Sequence, residues 1–257
     1  MSLLELKGVT KRFGGITAVN KLDMEIEAGE IYGLIGPNGA GKSTAFNCIS
    51  RYYEIDEGDI IFDGESILDK KSHQIVKLGI SRTFQNVELF DNMNVLENFL
   101  VGQHNNFKTN IFSSLLMTDK ALEEEKKAEE KAMEMLELLG IDHLAESKVV
   151  DQPYGIKKTI EIGRALMCDP KLLMLDEPVA GMNESETNKL AKLIKRISKE
   201  MDISILLVEH DMSMVMDICE EITVINFGKK IAEGDPEEIQ NHPDVIKAYL
   251  GEEDVDA

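Results

Sequence analysis

The sequence predicts an α/β fold, and three observations carry that prediction. Short, predominantly apolar runs at Ile31–Ile35, Leu172–Leu175 and Ile203–Val208 have the length and composition of buried strands. Helix signals alternate with them, as where Asn183 is followed three residues later by Glu186 in the manner of a capping box. Between Asn86 and Ser147, finally, helical periodicity dominates, which reads as a helical insertion in a β-rich core.

In chain order, Leu4, Leu6 and Val9 suggest an opening strand, and Leu22, Met24 and Ile26 alternate as a second, turned by Ala28-Gly29. Ile31–Ile35 follows, then a glycine-rich loop and a helix running through Ala45, Phe46 and Ile49. Glu57-Gly58-Asp59 turns into a strand at Ile60–Phe62, and Ile80–Phe84 reads as another, ending at Gln85. The clearest helix starts at Thr118-Asp119 and stops at Gly140, with Leu122, Met133, Leu136 and Leu139 on its apolar side. The strand before Asp176 leads to a helix from Asn183 to about Lys199, and Ile203–Val208 ends at Glu209-His210-Asp211. Ile222–Ile225 and Lys230–Ala232 flank Phe227-Gly228 as a hairpin, and Glu252–Ala257 is an acidic tail.

The stretch Gly36-Pro37-Asn38-Gly39-Ala40-Gly41-Lys42-Ser43-Thr44 fits G-x-x-x-x-G-K-[ST]. Its glycines let successive N–H groups point into one hollow sized for a phosphate. Lys42 adds a cation, the Ser43 hydroxyl can ligate Mg²⁺, and the following helix turns its positive end to the same anion. Asp176 and Glu177, after four aliphatic residues, supply the matching acids: Asp176 to hold Mg²⁺, Glu177 to polarise a water attacking the γ-phosphate. Either motif alone has an ordinary reading as a turn or a strand exit; together they imply a nucleoside triphosphate site.

Composition narrows the partners. The 257 residues allow one large domain or two small ones, and a formal net charge of −20 argues against nucleic acid as a principal partner. Cys48, Cys168 and Cys219 are far apart and read as core residues of a reducing compartment. No signal-peptide pattern opens the chain and no apolar run reaches a membrane span. The expectation is an intracellular protein that serves a membrane, if at all, through a partner.

On these motifs the chain resembles, over nearly its whole length, the ATP-binding subunits of ABC transporters. The resemblance implies one ABC ATPase domain over 1–257: 1–85 and 165–257 as a RecA-like nucleotide-binding core with an antiparallel β subdomain, 86–164 as a helical subdomain with the signature region. It implies ATP and Mg²⁺ as cofactors. Gln85 stands at the glutamine that senses γ-phosphate and metal, His210 at the histidine contacting the γ-phosphate, and Phe13 at the aromatic that stacks on adenine. Finer matches, among them Arg82-Thr83-Phe84-Gln85, Pro153-Tyr154-Gly155 and Ala248-Tyr249-Leu250-Gly251, are similar to the ATPases of branched-chain amino-acid importers.

Two departures stand out. The general signature Leu-Ser-Gly-Gly-Gln reads Gln152-Pro153-Tyr154-Gly155-Ile156 here, with Tyr154 and Gly155 left to face a partner's nucleotide, and Asn183 replaces an aspartate of the following loop. The expected partners are membrane permease subunits docking near Gln85–Phe99 through Phe90 and Met93, a second ATPase subunit (a different chain, or a second copy), and indirectly an extracytoplasmic solute-binding protein. The expected location is cytoplasmic, on the inner face of the membrane. Alternatives are a lipopolysaccharide-exporter ATPase, which keeps a serine-containing signature, and a soluble non-transport ABC ATPase, which usually carries a coiled coil or tandem units. A phosphate-loop kinase would need an acceptor signature that the sequence lacks.

Overall fold

The computed structural model describes residues 2–83, 87–103 and 119–250. The chain leaves its first compact unit after Arg82, builds a second, and returns to the first at Lys171.

The first unit opens with β1 (Ser2–Phe13) and β2 (Ile16–Glu27), a long antiparallel hairpin. In β2, Leu22, Met24 and Ile26 are buried while Lys21, Asp23 and Glu25 face out, the period-two pattern of a half-buried strand. Next come β3 (Ile31–Ile35), buried at every residue, and α1 (Lys42–Ile49). The unit continues with β4 (Glu57–Phe62), β5 (Glu65–Ser66), the single turn α2 (Ser72–Ile75) and β6 (Ile80–Arg82).

The second unit contains α3 (Val95–Gly102), α4 (Asp119–Leu139) and α5 (Tyr154–Leu166). Asn94 and Glu97 close a capping box over α3, worth about 1 kcal/mol. Phe99 of α3 is fully buried over Gly163 of α5, where an added Cβ would lie 2.2 Å from the ring. Phe99→Ala would therefore cost roughly 3–5 kcal/mol, and the residue is not available to a docking partner. Phe90, by contrast, is exposed.

Back in the first unit follow β7 (Leu172–Asp176), α6 (Glu184–Met201), β8 (Ser204–Val208), α7 (Met212–Ile218), β9 (Glu221–Asn226), β10 (Lys229–Gly234), α8 (Pro236–Asn241) and α9 (Pro243–Leu250). Among the described residues the strands form two sheets, ordered β2-β1-β4-β5 and β10-β9-β3-β8-β7-β6. The first is antiparallel; the second is parallel from β9 to β6, with β10 antiparallel at its edge. One apolar cluster joins them: Phe46, Cys48 and Ile49 of α1 pack with Leu4, Leu6 and Ile60 of the first sheet and Leu206 and Val208 of the second.

Two details depart from the sequence reading. The buried face of α4 is Ala128, Ala132, Met135, Leu136 and Leu139, whereas Met133 is half-buried and Leu122 exposed. At about 100° per residue, Leu122 is turned some 240° from Ala128, off that face. Cys48 and Cys219 are buried as expected, but Cys168 is only half-buried, its Sγ donating to Gly102 O at 3.1 Å. No described helix is long and apolar enough to cross a membrane.

Candidate functional site

The phosphate loop leaves the carboxyl end of β3, where chain geometry excludes any side chain at two positions. At Gly36, with φ 153°, a Cβ would sit 2.1 Å from Ile225 O; at Gly41, with φ 108°, it would sit 2.3 Å from Ala18 O. Ala40 N–H donates to Pro37 O at 3.1 Å, closing a turn between them. Gly41 is the N-cap of α1 with no capping side chain, so the first-turn N–H groups are directed at the loop rather than at a capping residue. Within this loop Pro37 and Thr44 are half-buried, Ala40 is buried, and Asn38, Gly39 and Ser43 are exposed.

Lys42 folds back across the loop, its Nζ donating to Gly36 O at 2.6 Å and Pro37 O at 3.1 Å. Burial pushes its pKa down, opposed by the charges of Glu177, Asp176 and Glu209. A buried cation satisfied only by neutral carbonyls favours an arriving anion, since a charge-assisted bond is about twice as strong as a neutral one.

The acids come from the two neighbouring strands. In the order β3-β8-β7, all parallel, Asp176 is the last residue of β7 and pairs with Val208 at the end of β8. Asp176 is buried; Glu177 takes φ 46°, a left-handed turn, with its N–H donating to Val208 O at 2.8 Å. That turn sends the chain sharply out of the sheet. Beyond β8, the His210 ring is more than half exposed, with Nδ1 3.9 Å from Glu177 Oε1 and 3.6 Å from Glu209 Oε2. Lys42, Asp176, Glu177 and His210 thus gather at the carboxyl ends of adjacent parallel strands, where open α/β sheets bind their ligands. Among the described residues no three of His, Cys, Asp and Glu group as metal ligands. Among the described residues, Ser43 and Asp176 are the side chains at this edge that could take a divalent ion, alongside oxygens of its nucleotide.

Phe13 ends β1, 43% exposed, with one edge held by the Tyr53 ring at 5.2 Å and the Lys11 ammonium 5.2 Å from its centroid. Its hairpin also carries Ala18, whose carbonyl abuts Gly41. Gln85 lies outside the described residues; Arg82, just before it, donates from Nη1 to Asn47 Oδ1 at 2.9 Å and Ser50 Oγ at 2.7 Å, tying β6 to α1. Tyr154 and Gly155 belong to the second unit, in the first turn of α5, which has Pro153 as N-cap and no capping side chain. Tyr154 is exposed.

A family model described as "ABC transporter" matches residues 19–180, well over half of the chain. The chain belongs to the ABC transporter family. A second model, "Branched-chain amino acid ATP-binding cassette transporter", matches residues 229–255 of this ABC protein. It is 44% identical over 250 residues to the high-affinity branched-chain amino acid transport ATP-binding protein BraF of Pseudomonas aeruginosa, covering 97% of this chain and 98% of that protein. LivG of Escherichia coli K12, of the same description, gives the same identity and coverage. Among solved structures, a nucleotide-free ATP-binding cassette from an ABC transporter superposes with TM-score 0.84 at 33% identity, covering 98% of this chain and all of that one. The ADP conformation of another cassette gives 0.85 at 31% identity. The α/β fold of the ABC ATPase, expected from the motifs, is the one observed.

Two residues of this ABC cassette's site went unnoticed in the sequence. Gly228, read only as a hairpin turn, donates its N–H to Ala40 O at 2.7 Å and accepts from Asn20 N at 2.7 Å, clamping the phosphate loop from behind. Glu209, read as a strand exit, is completely buried and bonded to backbone on both sides. A carboxylate directly after the four apolar residues Ile205–Val208 was the only signal for it.

Proposed function

We propose that this chain is the ATP-hydrolysing subunit of an importer of branched-chain amino acids, acting from the cytoplasmic face of the membrane. The observation that carries the reading is the end-to-end likeness to BraF and LivG, in a chain that keeps the phosphate loop and its acids. In this reading Lys42 and the N–H groups of Gly39 to Thr44 hold the β- and γ-phosphates, and Phe13 offers its exposed face to adenine. Ser43, Asp176 and Gln85 would hold Mg²⁺, which neutralises charge on the transferring phosphoryl group.

Glu177 accepts a proton from the attacking water while the water's oxygen bonds to the γ-phosphorus and the bond from the γ-phosphorus to ADP breaks. His210 steadies the γ-phosphate. Tyr154 and Gly155 face the nucleotide of a second ATPase subunit, with a different chain favoured because neither Tyr154 nor its neighbours supply the usual serine. Membrane permease subunits, fed by an extracytoplasmic solute-binding protein, turn the closing and reopening into import.

The test is hydrolysis by the transporter complex purified with its membrane partners, with leucine, isoleucine or valine and a loaded binding protein. Stimulation by these and not by other solutes is the expected result. Stimulation by a different solute class alone would overturn the substrate assignment and leave the ATPase standing.

A further inference from the structure

Glu209 is fully buried, yet no Lys or Arg among the described residues pairs with it. Its hydrogen bonds come from backbone, with the His210 ring 3.6 Å from Oε2. Oε1 accepts from Val179 N–H at 3.0 Å, while Oε2 accepts from His210 N–H at 2.9 Å and Asp211 N–H at 3.3 Å. A buried carboxylate costs several kcal/mol unless such donors surround it, so this one has been fitted to both loops.

The two loops are the ones that matter for hydrolysis. Val179 lies two residues beyond Glu177, inside a turn closed by Ala180 N–H to Glu177 O at 3.2 Å. On the other side are the backbone of His210 and Asp211, the N-cap of α7. Each oxygen of Glu209 therefore holds one of the two side chains assigned to the γ-phosphate, and holds it through the main chain. An amide could not do the same: its single carbonyl satisfies one loop, and its NH₂ then faces an N–H donor of the other.

We propose that Glu209 is a positioning residue for hydrolysis, whose carboxylate locks the turn after Glu177 to the backbone of His210 so that base and phosphate contact hold a fixed spacing. The proposal rests on the roles given above to Glu177 and His210. It assigns Glu209 no contact with nucleotide, so its loss acts on the chemical step rather than on binding.

The test compares Glu209→Gln and Glu209→Asp in the full chain, each also combined with His210→Ala. Steady-state hydrolysis gives kcat and KM, and calorimetry gives Mg·ATP affinity. Glu209→Gln is expected to lower kcat by about tenfold or more while KM and affinity stay within about twofold. Glu209→Asp, which keeps both oxygens and the charge on a shorter arm, recovers part of the loss. In the His210→Ala background the further effect of Glu209→Gln falls to under about twofold, because residues acting as a unit are not additive.

A folded Glu209→Gln with wild-type kcat overturns the proposal, and so does an equal fold-loss in both backgrounds. A drop in kcat matched by an equal loss of affinity also overturns it, since that is the mark of general damage. Should Glu209→Gln not fold, unchanged kcat in Glu209→Asp decides against it. Slow Glu177→Gln beside fully active Glu209→Gln removes this proposal alone, whereas wild-type turnover in Glu177→Gln removes the base assignment on which it stands.

Discussion

Gly36→Ala tests the phosphate loop most directly, and Gly39→Ala is its internal control. Both positions have positive φ, 153° and 78°, so both substitutions carry the strain of a side chain in glycine territory, about 1–3 kcal/mol. Only Gly36 adds a collision. Its new Cβ would lie 2.1 Å from Ile225 O, whereas that of Gly39 meets nothing within 4 Å. Restoring an ordinary contact near 3.4 Å requires the β9 backbone and the loop to separate by about 1.3 Å. A backbone displaced in a close-packed core costs roughly 1–3 kcal/mol more, and the same displacement opens the bond from Gly228 N–H to Ala40 O. The expected losses in urea unfolding without nucleotide are therefore about 1–3 kcal/mol for Gly39→Ala and about 2–6 kcal/mol for Gly36→Ala, the latter larger by about 1–3 kcal/mol. Mg·ATP affinity, read by calorimetry on the folded fraction, falls further in Gly36→Ala than strain alone predicts. Equal losses for the two variants would refute the steric argument, because strain is the only term they share.

Three more outcomes are expected. Lys42→Ala loses the charged bond to phosphate, about 1.5–3 kcal/mol or roughly tenfold to a hundredfold in Mg·ATP affinity by calorimetry, with circular dichroism unchanged. Burial raises the Cys48 thiol from 9.0 to about 11 and the Cys219 thiol to about 12, so the native state keeps protons that the unfolded chain releases. Stability from these groups is thus complete below pH 9 and is lost as pH rises towards 11, by roughly 2–3 kcal/mol at Cys48 alone; a flat urea midpoint over that window contradicts it. For assembly, light scattering of Glu177→Gln with Mg·ATP is expected to report mostly monomer, and a tight homodimer together with full hydrolysis by the isolated wild-type chain would sink the two-chain reading.

What the sequence disclosed follows its periodicities. Ile31–Ile35 and Leu172–Leu175 are short hydrophobic stretches buried along their whole length, and α4 stops just before Gly140 as its left-handed glycine foretold. The Asn183–Glu186 capping box is present in both directions, with Asn183 Oδ1 accepting from Glu186 N–H at 3.1 Å. Long-range placement was the part that stayed hidden. The β1–β2 hairpin runs to Phe13 and Ile16, past Val9 and Leu22 where the alternating pattern lay, because ladder bonds between backbones need no side-chain signal. Glu209 was obscure for a related reason: its partners are N–H groups, which every residue carries. Leu122, counted on the inner face of α4, shows that four apolar residues in a helix do not share a side unless their angles close.

The Gly228 clamp bears on how this protein should be handled. Gly228 immediately precedes the region matched by the branched-chain family model, yet one hydrogen bond joins it to Ala40 inside the nucleotide loop. Far ends of the chain are therefore mechanically one part. Shortening or fusing the chain within β10, α8 or α9 tugs on the phosphate loop, and an affinity tag there becomes a perturbation of ATP binding. Tags belong elsewhere, and a truncation series from the C-terminal side becomes a tool: the step at which nucleotide affinity first drops marks how much of α9 and α8 is needed to keep Gly228 seated.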